Sequence, residues 1–326
     1  MLMRTLRKLC IGILFSGIIL FNLNADEKSK KDFTFNVIPQ LDFGILQLAE
    51  DSYLYSPAGS LGFKYSKNEE SASVGPDVIA GNLSYGQDIF SKEISGFEEK
   101  NFHKLGAFGK VVTGKNTILL KVDGRGAKPF ESYKNFEGLL FYARKIIDTD
   151  SAQLDIGGGL AATDTGIVIG GIDIFVVPLP MIHFSYKNQI IDAEMEWIGM
   201  PDAIITLFPE SLFRIHGTFA LAGFDLPTDI MGDLALCCYP FREGFMKDIA
   251  SISVGATHEV KKFRINLNNS LKYDYFTAYG QLSITALTLR GGYAFGGRQT
   301  LRSKDGKTTG AYDGGFFLTV QALYKF

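Results

Sequence analysis

Apolar and polar residues alternate strictly along the last segment of the chain. From Phe316 onward every second position is apolar, and the positions between them are mostly polar. Because successive side chains of a strand point to opposite faces, this period of two predicts a β-strand with one apolar and one polar face. The apolar positions are Phe316, Leu318, Val320, Ala322, Tyr324 and Phe326.

The same period recurs through much of the chain, in segments of about 10 residues separated by turn residues. Between Phe263 and Tyr275 the odd positions are apolar and the even positions polar. Between Ile191 and Trp197 apolar residues alternate with acidic ones. The pattern predicts an all-β protein with a single domain. Further segments of this kind are 182–186, 213–219 and 252–260.

The apolar run over residues 167–184 is the one rival to an all-β interpretation, because it could form a transmembrane helix. It contains Pro178 and Pro180 and is rich in Ile and Val. Proline disrupts a helix interior, and β-branched residues favour strands. We therefore predict two strands here.

The amino-terminal segment has the organisation of a secretory signal peptide. Three basic residues precede an apolar run over residues 9–21, and the small residue Ala25 follows. We predict a signal peptide over residues 1–25 and a mature domain over residues 26–326. Leu23 is larger than is usual before a cleavage site, so an uncleaved anchor helix is the alternative, although the run is short for a span of about 20 residues.

Charge and composition narrow the possible classes. The formal charge is −2, and removing residues 1–25, with three basic residues and no acidic ones, takes it to −5. This argues against a nucleic-acid partner, which requires a basic surface. The 36 glycines and 13% aromatic residues suit a β-protein with tight turns. Cys237 and Cys238 are adjacent, which predicts two small strand residues and no disulfide framework or zinc site.

Alternation alone does not reveal which face is buried. In a soluble sandwich the apolar face packs a core, whereas in a membrane barrel it meets lipid. The signal segment, the terminal strand and the aromatic residues near predicted strand ends together favour a membrane barrel. The residues expected in an interfacial belt are Tyr273, Tyr275, Tyr279, Tyr293, Phe295, Tyr312 and Phe316.

With these features the chain resembles, as a class, the bacterial outer-membrane β-barrel proteins of the porin or transporter kind. The resemblance rests on the segment through Ala25, the alternating strands after residue 138 and the terminal Leu323–Phe326. It implies one antiparallel transmembrane β-barrel in contact with outer-membrane lipid. The alternating segments predict about 12 strands, within roughly 10–14. The resemblance further implies that Tyr324 and Phe326 form a signal for the barrel assembly machinery.

Residues 66–102 show little alternation apart from Val78–Tyr85. They are expected to form a long outer loop, a constriction folded into the barrel, or a broken pair of strands. If the last strand ends on the periplasmic side, the order of the alternating segments assigns each other connection to the outer or the periplasmic side. Outer connections are then expected at 296–310, 240–247 and 276–277, and a tight periplasmic turn at 261–262.

The polar positions of the alternating strands are expected to line the lumen. Charges cost little in a water-filled pore, and their field sets its selectivity. In a narrow barrel the same charges would pair into a packed plug, so an open and a plugged lumen are both possible. The candidate lumen residues are Asp155, Asp173, His183, Asp192, Glu194, Glu196, Arg214, Arg264 and Lys272.

Enzymatic sites are weakly indicated. His183 shares a strand face with Ser185, but nucleophilic hydrolysis also requires a third group that orients the histidine. Asp192 and Glu194 have no histidine that the sequence places on a neighbouring strand. Gly157–Gly159 is not followed by a helical pattern, so its amides would not form a phosphate site. We predict no catalytic, cofactor-binding or metal site.

Three functions fit the sequence. The first is a channel for diffusion of small solutes, with the lumen charges as its selectivity element. The second is a non-conducting surface barrel whose outer loops bind a partner, and the third and weakest is an outer-membrane enzyme. The solute and the oligomeric state are not indicated.

Overall fold

All of the regular structure in the described residues is β-strand. The computed structural model describes residues 33–67, 76–93, 99–126, 136–169, 172–198, 200–221, 229–241, 249–266, 269–303, 306–312 and 314–323. The predicted signal peptide over residues 1–25 lies outside these ranges, as do Tyr324 and Phe326. The strands are β1 Phe33–Ala49, β2 Ser52–Lys67, β3 Val78–Phe90, β4 Asn101–Thr113, β5 Asn116–Gly126, β6 Phe136–Asp148, β7 Ala152–Ile169, β8 Ile172–Lys187, β9 Ile191–Ile198, β10 Met200–Leu207, β11 Phe213–Leu221, β12 Ile230–Cys238, β13 Ala250–Asn266, β14 Asn269–Ile284, β15 Leu287–Ser303, β16 Gly306–Tyr312 and β17 Gly315–Leu323.

The strands form one closed antiparallel sheet. From β1 to β15 each strand pairs with the next one along the chain. β16 and β17 both pair antiparallel with β15, on its two halves, so they are two segments of one strand. β17 also pairs with β1, where Gln40 lies opposite Leu323, and this pairing closes the barrel. The described chain is therefore a barrel of 16 strands rather than about 12, and the prediction of an all-β antiparallel barrel is confirmed.

The number of strands predicted from the sequence was too low for identifiable reasons. The predicted turns at 261–262 and 276–277 lie inside the long strands β13 and β14. Within residues 66–102, residues 78–90 form β3, which is hydrogen-bonded to β2 and β4 and is therefore part of the wall. The described part of the predicted outer connection over residues 296–310 is strand, since β15 extends to Ser303 and β16 begins at Gly306.

The two ends of the barrel differ. We call the end at which β17 finishes the terminal end and the opposite one the distal end. Tight turns at Gly114–Lys115 and Thr285–Ala286 lie at the terminal end. Residues 239–241 and 249 lie there too, because Cys238 and Ala250 occupy the ends of β12 and β13 that point that way. The prediction that the connection over residues 240–247 lies on the opposite side is therefore wrong for residues 240–241, and residues 242–247 lie outside the described ranges.

The outer face of the wall is apolar in a continuous band. Leu83, Leu234, Val254 and Phe316 are strongly exposed on this face. A water-soluble protein rarely exposes an apolar patch of this extent, whereas a lipid-facing band requires one. Among the described residues, no helix is long and apolar enough to cross a membrane.

Aromatic residues mark the distal edge of the band. The rings of Phe276 and Phe295 lie 6.3 Å apart, and those of Tyr293 and Phe316 lie 5.3 Å apart, all on the outer face. Beyond them the outer face becomes polar, beginning with the ion pair of Arg298 and Asp274. Since aromatic side chains collect at membrane–water interfaces, we place the distal membrane boundary at this level. The distal halves of β13–β16 extend past it.

The lumen as candidate functional site

Acidic side chains form a row on the inner face of β9. Asp192, Glu194 and Glu196 alternate there with residues of the lipid face. On β10, Asp202 lies directly opposite Glu196 in the strand register. His183 on β8 lies opposite Glu196 on the other side, and its Nδ1 is 3.8 Å from Glu194 Oε1. The strand pairing thus collects four carboxylates and one imidazole on one part of the inner wall.

Lysines from β4 and β5 lie near this acidic row. Lys110 is close enough to Glu196, and Lys121 to Asp202, for their charges to interact. Lys121 also forms an ion pair with Asp123, with Nζ and Oδ2 3.2 Å apart. These two lysines were not predicted from the sequence, although Lys121 alternates with the apolar residues of β5 and could have been found in that way. Acidic and basic groups therefore share this part of the lumen.

The inner face around these charges is open to water. Glu194 has 57% of its side chain exposed and Lys121 has 50%, although both point into the barrel. Ile204, on the inner face between Asp202 and Thr206, is 44% exposed. We call this region the charged lobe, defined by Lys110, Lys121, Glu194, Glu196 and Asp202.

The other half of the lumen is packed at its distal end. Rings from β3, β4, β13, β14 and β16 meet there, and each of them is at most 5% exposed. Phe263 lies 4.9 Å from Phe90 and 5.4 Å from Phe102, measured between ring centroids. We call this cluster the aromatic lid. Its members are Phe90, Phe102, Phe263, Tyr273, Tyr275 and Tyr312.

The lid is formed because the wall folds towards itself. β3 and β4 lie several strands away from β13 around the barrel, yet their phenylalanine rings touch across the lumen. β5 also approaches β13 across the interior. The lumen is therefore divided into the charged lobe and a second lobe closed by the lid.

Beneath the lid the second lobe is lined by polar groups. Tyr275 Oη donates a 2.8 Å hydrogen bond to Glu259 Oε2, and Thr257 and Thr277 share one of 2.6 Å. A cavity of about 40 Å³ lies here, which is room for one or a few water molecules. We call this region the polar compartment, and its lining includes Ser56, Glu259, Lys261, Tyr275, Thr277 and Thr319.

Two charged networks fasten the walls of the second lobe. Buried Asp88 accepts a 2.7 Å hydrogen bond from Ser56 Oγ and forms an ion pair with Lys104. Arg290 lies flat on the Tyr279 ring at 3.6 Å, and its Nη1 is 3.2 Å from Asp233 Oδ2. Tyr279 Oη donates to the same carboxylate at 2.6 Å, so one carboxylate holds residues of two other strands.

Most of the predicted lumen residues lie on the inner face. Their alternation with exposed apolar residues places them there, but whether they determine selectivity stays a prediction. Asp173 and Arg264 lie in β8 and β13, and their side chains are outside the described part. Lys272 is a correction, because it lies on the opposite face of β14 from Tyr275 and pairs with Asp229 at 2.6 Å. The inner-face residues are Asp155, His183, Asp192, Glu194, Glu196 and Arg214.

The aromatic residues expected in an interfacial belt separate into two groups. Tyr293, Phe295 and Phe316 face outward near the distal boundary, as predicted. The other four, Tyr273, Tyr275, Tyr279 and Tyr312, point inward, where they form part of the lid or hold the second lobe. For Tyr273, Tyr275 and Tyr312 the reason is that their strand segments stand in water, so their apolar face packs inside the barrel instead. Tyr279 lies on the membrane side of Phe276, and its hydroxyl donates to Asp233 inside the lumen.

The groups considered for catalysis are dispersed. Among the described residues, His183 and Ser185 share the inner face of β8 without a hydrogen bond between them. No group of three or more His, Cys, Asp or Glu in the described ranges is arranged to hold a metal ion. Cys237 and Cys238 are free thiols, the first buried in the lumen. Gly157–Gly159 lies within β7, not before a helix.

No protein-family model matches the sequence, and no curated protein matches it. Among solved structures, a Rhodopseudomonas blastica porin with three substitutions matches with a TM-score of 0.39 at 6% identity, covering 90% of this chain and 100% of the porin. OpdQ of Pseudomonas aeruginosa matches with a TM-score of 0.38 at 10% identity, covering 91% of this chain and 99% of OpdQ. OccAB1 of Acinetobacter baumannii matches with a TM-score of 0.35 at 9% identity, covering 92% of this chain and 99% of OccAB1. Since these scores are below 0.5, the fold assignment rests on this chain's own strand pairing.

The closed wall and its apolar outer band are those of a transmembrane β-barrel, as the sequence predicted. An antiparallel barrel without free edges leaves no backbone groups unpaired in lipid. An even number of strands with aromatic residues at the edge of the apolar band is the form of bacterial outer-membrane barrels. The described residues therefore form a closed antiparallel barrel of the membrane-spanning type.

Proposed function

We propose that the protein is a diffusion channel for small polar solutes and that they pass along the charged lobe. One observation carries this proposal. Glu194 and Lys121 point into a closed barrel and are nevertheless half exposed. An inward-facing charge can be exposed only if the space beside it admits water.

The charges of this lobe support a selective passage. The carboxylates of β9 and β10 lie on one part of the wall, and Lys110 and Lys121 lie on another within reach of their field. Charges near low-dielectric walls focus the field within a pore and set which ions concentrate there. A field between an acidic and a basic wall also orients dipolar solutes. We therefore expect small ions and zwitterionic or polar solutes to pass, with a preference that depends on these five residues.

Planar-bilayer recordings of the purified protein test the proposal. The wild type is expected to give discrete current steps, and the triple variant E194Q/E196Q/D202N should shift the reversal potential in a salt gradient toward anion preference. The matched variant K110Q/K121Q should shift it toward cation preference. Folding is checked by gel migration that changes on boiling. Folded protein without current steps would overturn the channel proposal.

A non-conducting barrel is the second candidate, and the aromatic lid is the observation that favours it. The lid closes part of the lumen at the distal end, as a structural barrel without a pore would require. In this case the outer loops would bind a partner. The same recordings distinguish the two functions, because a non-conducting barrel gives no current steps when it is fully folded.

A barrel of the outer-membrane class also has to be inserted into its membrane. The apolar band implies contact with outer-membrane lipid, and we propose that the barrel assembly machinery recognises the terminal Tyr324 and Phe326. The variant Y324S/F326S should accumulate outside the membrane, whereas L323S, one residue earlier and on the inner face, should insert. Equal insertion of all three proteins would contradict this assignment.

A further inference from the structure

We propose that the aromatic lid is a hydrophobic gate over the polar compartment, and that Phe263 is the residue that holds it closed. This inference rests on the proposed channel function. It adds a second, gated route through the barrel beside the charged lobe.

Phe263 occupies the centre of the lid. Its ring contacts Phe90 of β3, Phe102 of β4 and Tyr273 of β14, with centroid distances of 4.9, 5.4 and 6.4 Å. Phe90 and Phe102 lie on one wall, and Tyr273 and Phe263 lie on the other. Phe263 is thus the ring through which the two walls meet.

The contact between the walls consists of side chains alone. β3 is hydrogen-bonded to β2 and β4, and β13 is hydrogen-bonded to β12 and β14. Among the described strands, β3 and β4 share no ladder with β13. Separating β3 and β4 from β13 at the lid therefore leaves every described strand pairing intact and breaks side-chain contacts. A local opening of this kind needs no unfolding of the barrel.

The space beneath the lid has polar and charged residues in its lining, beside the apolar Leu46 and Phe317. Glu259, Lys261 and Thr277 line the polar compartment together with Ser56 and Thr319. A packed core would place apolar side chains at these positions, because charged groups are rarely buried without a partner. An apolar constriction above a polar passage excludes water while it is narrow and admits it once it widens. This is the arrangement of the lid and the compartment.

The first test is the conductance of F263A in planar bilayers. Removing the ring should give a severalfold larger conductance or a severalfold longer open time than the wild type. F276A is the matched control, because it removes a ring from the outer face of the neighbouring strand. F90A removes the partner ring from the other wall and should act like F263A. All variants are first shown to migrate as folded barrels.

The second test does not require current. Thr277 lies beneath the lid, points inward and is 1% exposed. T277C, made in a C237S/C238S background, should react slowly with a charged methanethiosulfonate reagent. Adding F263A should speed the reaction severalfold, and adding F276A should not. An unchanged reaction rate in the F263A protein would overturn the gate.

The outcomes separate the gate from the channel. If the wild type conducts and F263A conducts identically, the gate is overturned and the channel function stands. If neither folded protein conducts, the channel function fails, and the gate fails with it. A larger current through F263A together with faster labelling of T277C supports both.

Discussion

Glu196 of β9 lies directly opposite Asp202 of β10, so two carboxylates of neighbouring strands face the same lumen. Like charges in directly opposed positions of a sheet destabilise it. His183 lies opposite Glu196 on the other side, and the charge of Lys121 reaches Asp202. The inner wall thus keeps a repulsive pair in the charged lobe, partly compensated by the charge of Lys121.

Neutralising one member of this pair should stabilise the barrel while reducing cation preference. D202N removes the repulsion from Glu196, and we expect a gain of about 0.2–1 kcal/mol in the free energy of unfolding. Urea unfolding in lipid vesicles and reversal potentials measure the two effects. D148N, in a turn at the terminal end away from this pair, is the control. A loss of stability in D202N would show that the carboxylate has a structural partner.

Two adjacent isoleucines test which face of the wall meets lipid. Ile204 faces the charged lobe and Ile205 faces outward, and their exposures are nearly equal at 44% and 45%. I205K should destabilise the barrel, because a lysine on the lipid face costs about 2–4 kcal/mol at the membrane midplane and less towards its edges. I204K places the same charge in water and should change stability little. Equal losses in urea unfolding would contradict the assigned faces.

Three consecutive glycines of β7 should differ in tolerance to alanine. A Cβ at Gly157 would lie 2.0 Å from Tyr142 O, and one at Gly159 would lie 2.1 Å from Leu140 O. A Cβ at Gly158 would approach Leu179 O only to 3.4 Å. G157A and G159A should therefore fold in low yield, because their β-carbons meet backbone of β6 that cannot yield. G158A serves as the control and should give nearly wild-type amounts of heat-modifiable barrel.

The effects of substituting Arg290 and Asp233 on the free energy of unfolding should be strongly coupled. D233N leaves the guanidinium with a neutral partner, and Arg290 Nε and Nη2 have no hydrogen-bond partner in the described part. Removing one charge of a fully buried pair costs about 3–5 kcal/mol, whereas replacing both by apolar groups is often neutral. The side chains of Arg290 and Asp233 are 20% and 18% exposed, so a smaller loss in the same direction is expected. D233N should thus lose more stability than the double variant D233L/R290M. A double variant that is less stable than both single variants would refute this coupling.

The pattern of apolar and polar residues alone was sufficient to predict which face of several wall strands points outward. The alternation of Phe316, Leu318 and Val320 predicted a strand with an apolar outer face, and the structure places it in β17 with that face outward. The acidic residues of β9 were predicted to face the lumen, and they do. A period of two is enough for these inferences because β9 and β17 lie within the membrane band. There the outer face of a strand contacts lipid and the inner face contacts water.

The same rule failed where strands leave the membrane. The alternation of Leu271, Tyr273 and Tyr275 showed that they share a face, but they pack inside the barrel and Lys272 lies outside. Beyond the boundary both sides of the wall can meet water, so apolar side chains are buried by packing inward. Local sequence carries no mark of where a strand crosses that boundary.

The sequence by itself determined strand periodicity, the two-faced wall and the inward direction of residues such as Glu194 and Glu196, because side-chain direction along a strand is a local property. The tertiary structure alone decided the count of 16 strands, the closure of β1 on β17 and the contact of Phe90 with Phe263. Register, closure and contacts across the lumen join residues far apart in the chain, and their positions depend on the curvature of the whole sheet. The charged lobe and the aromatic lid are products of that curvature.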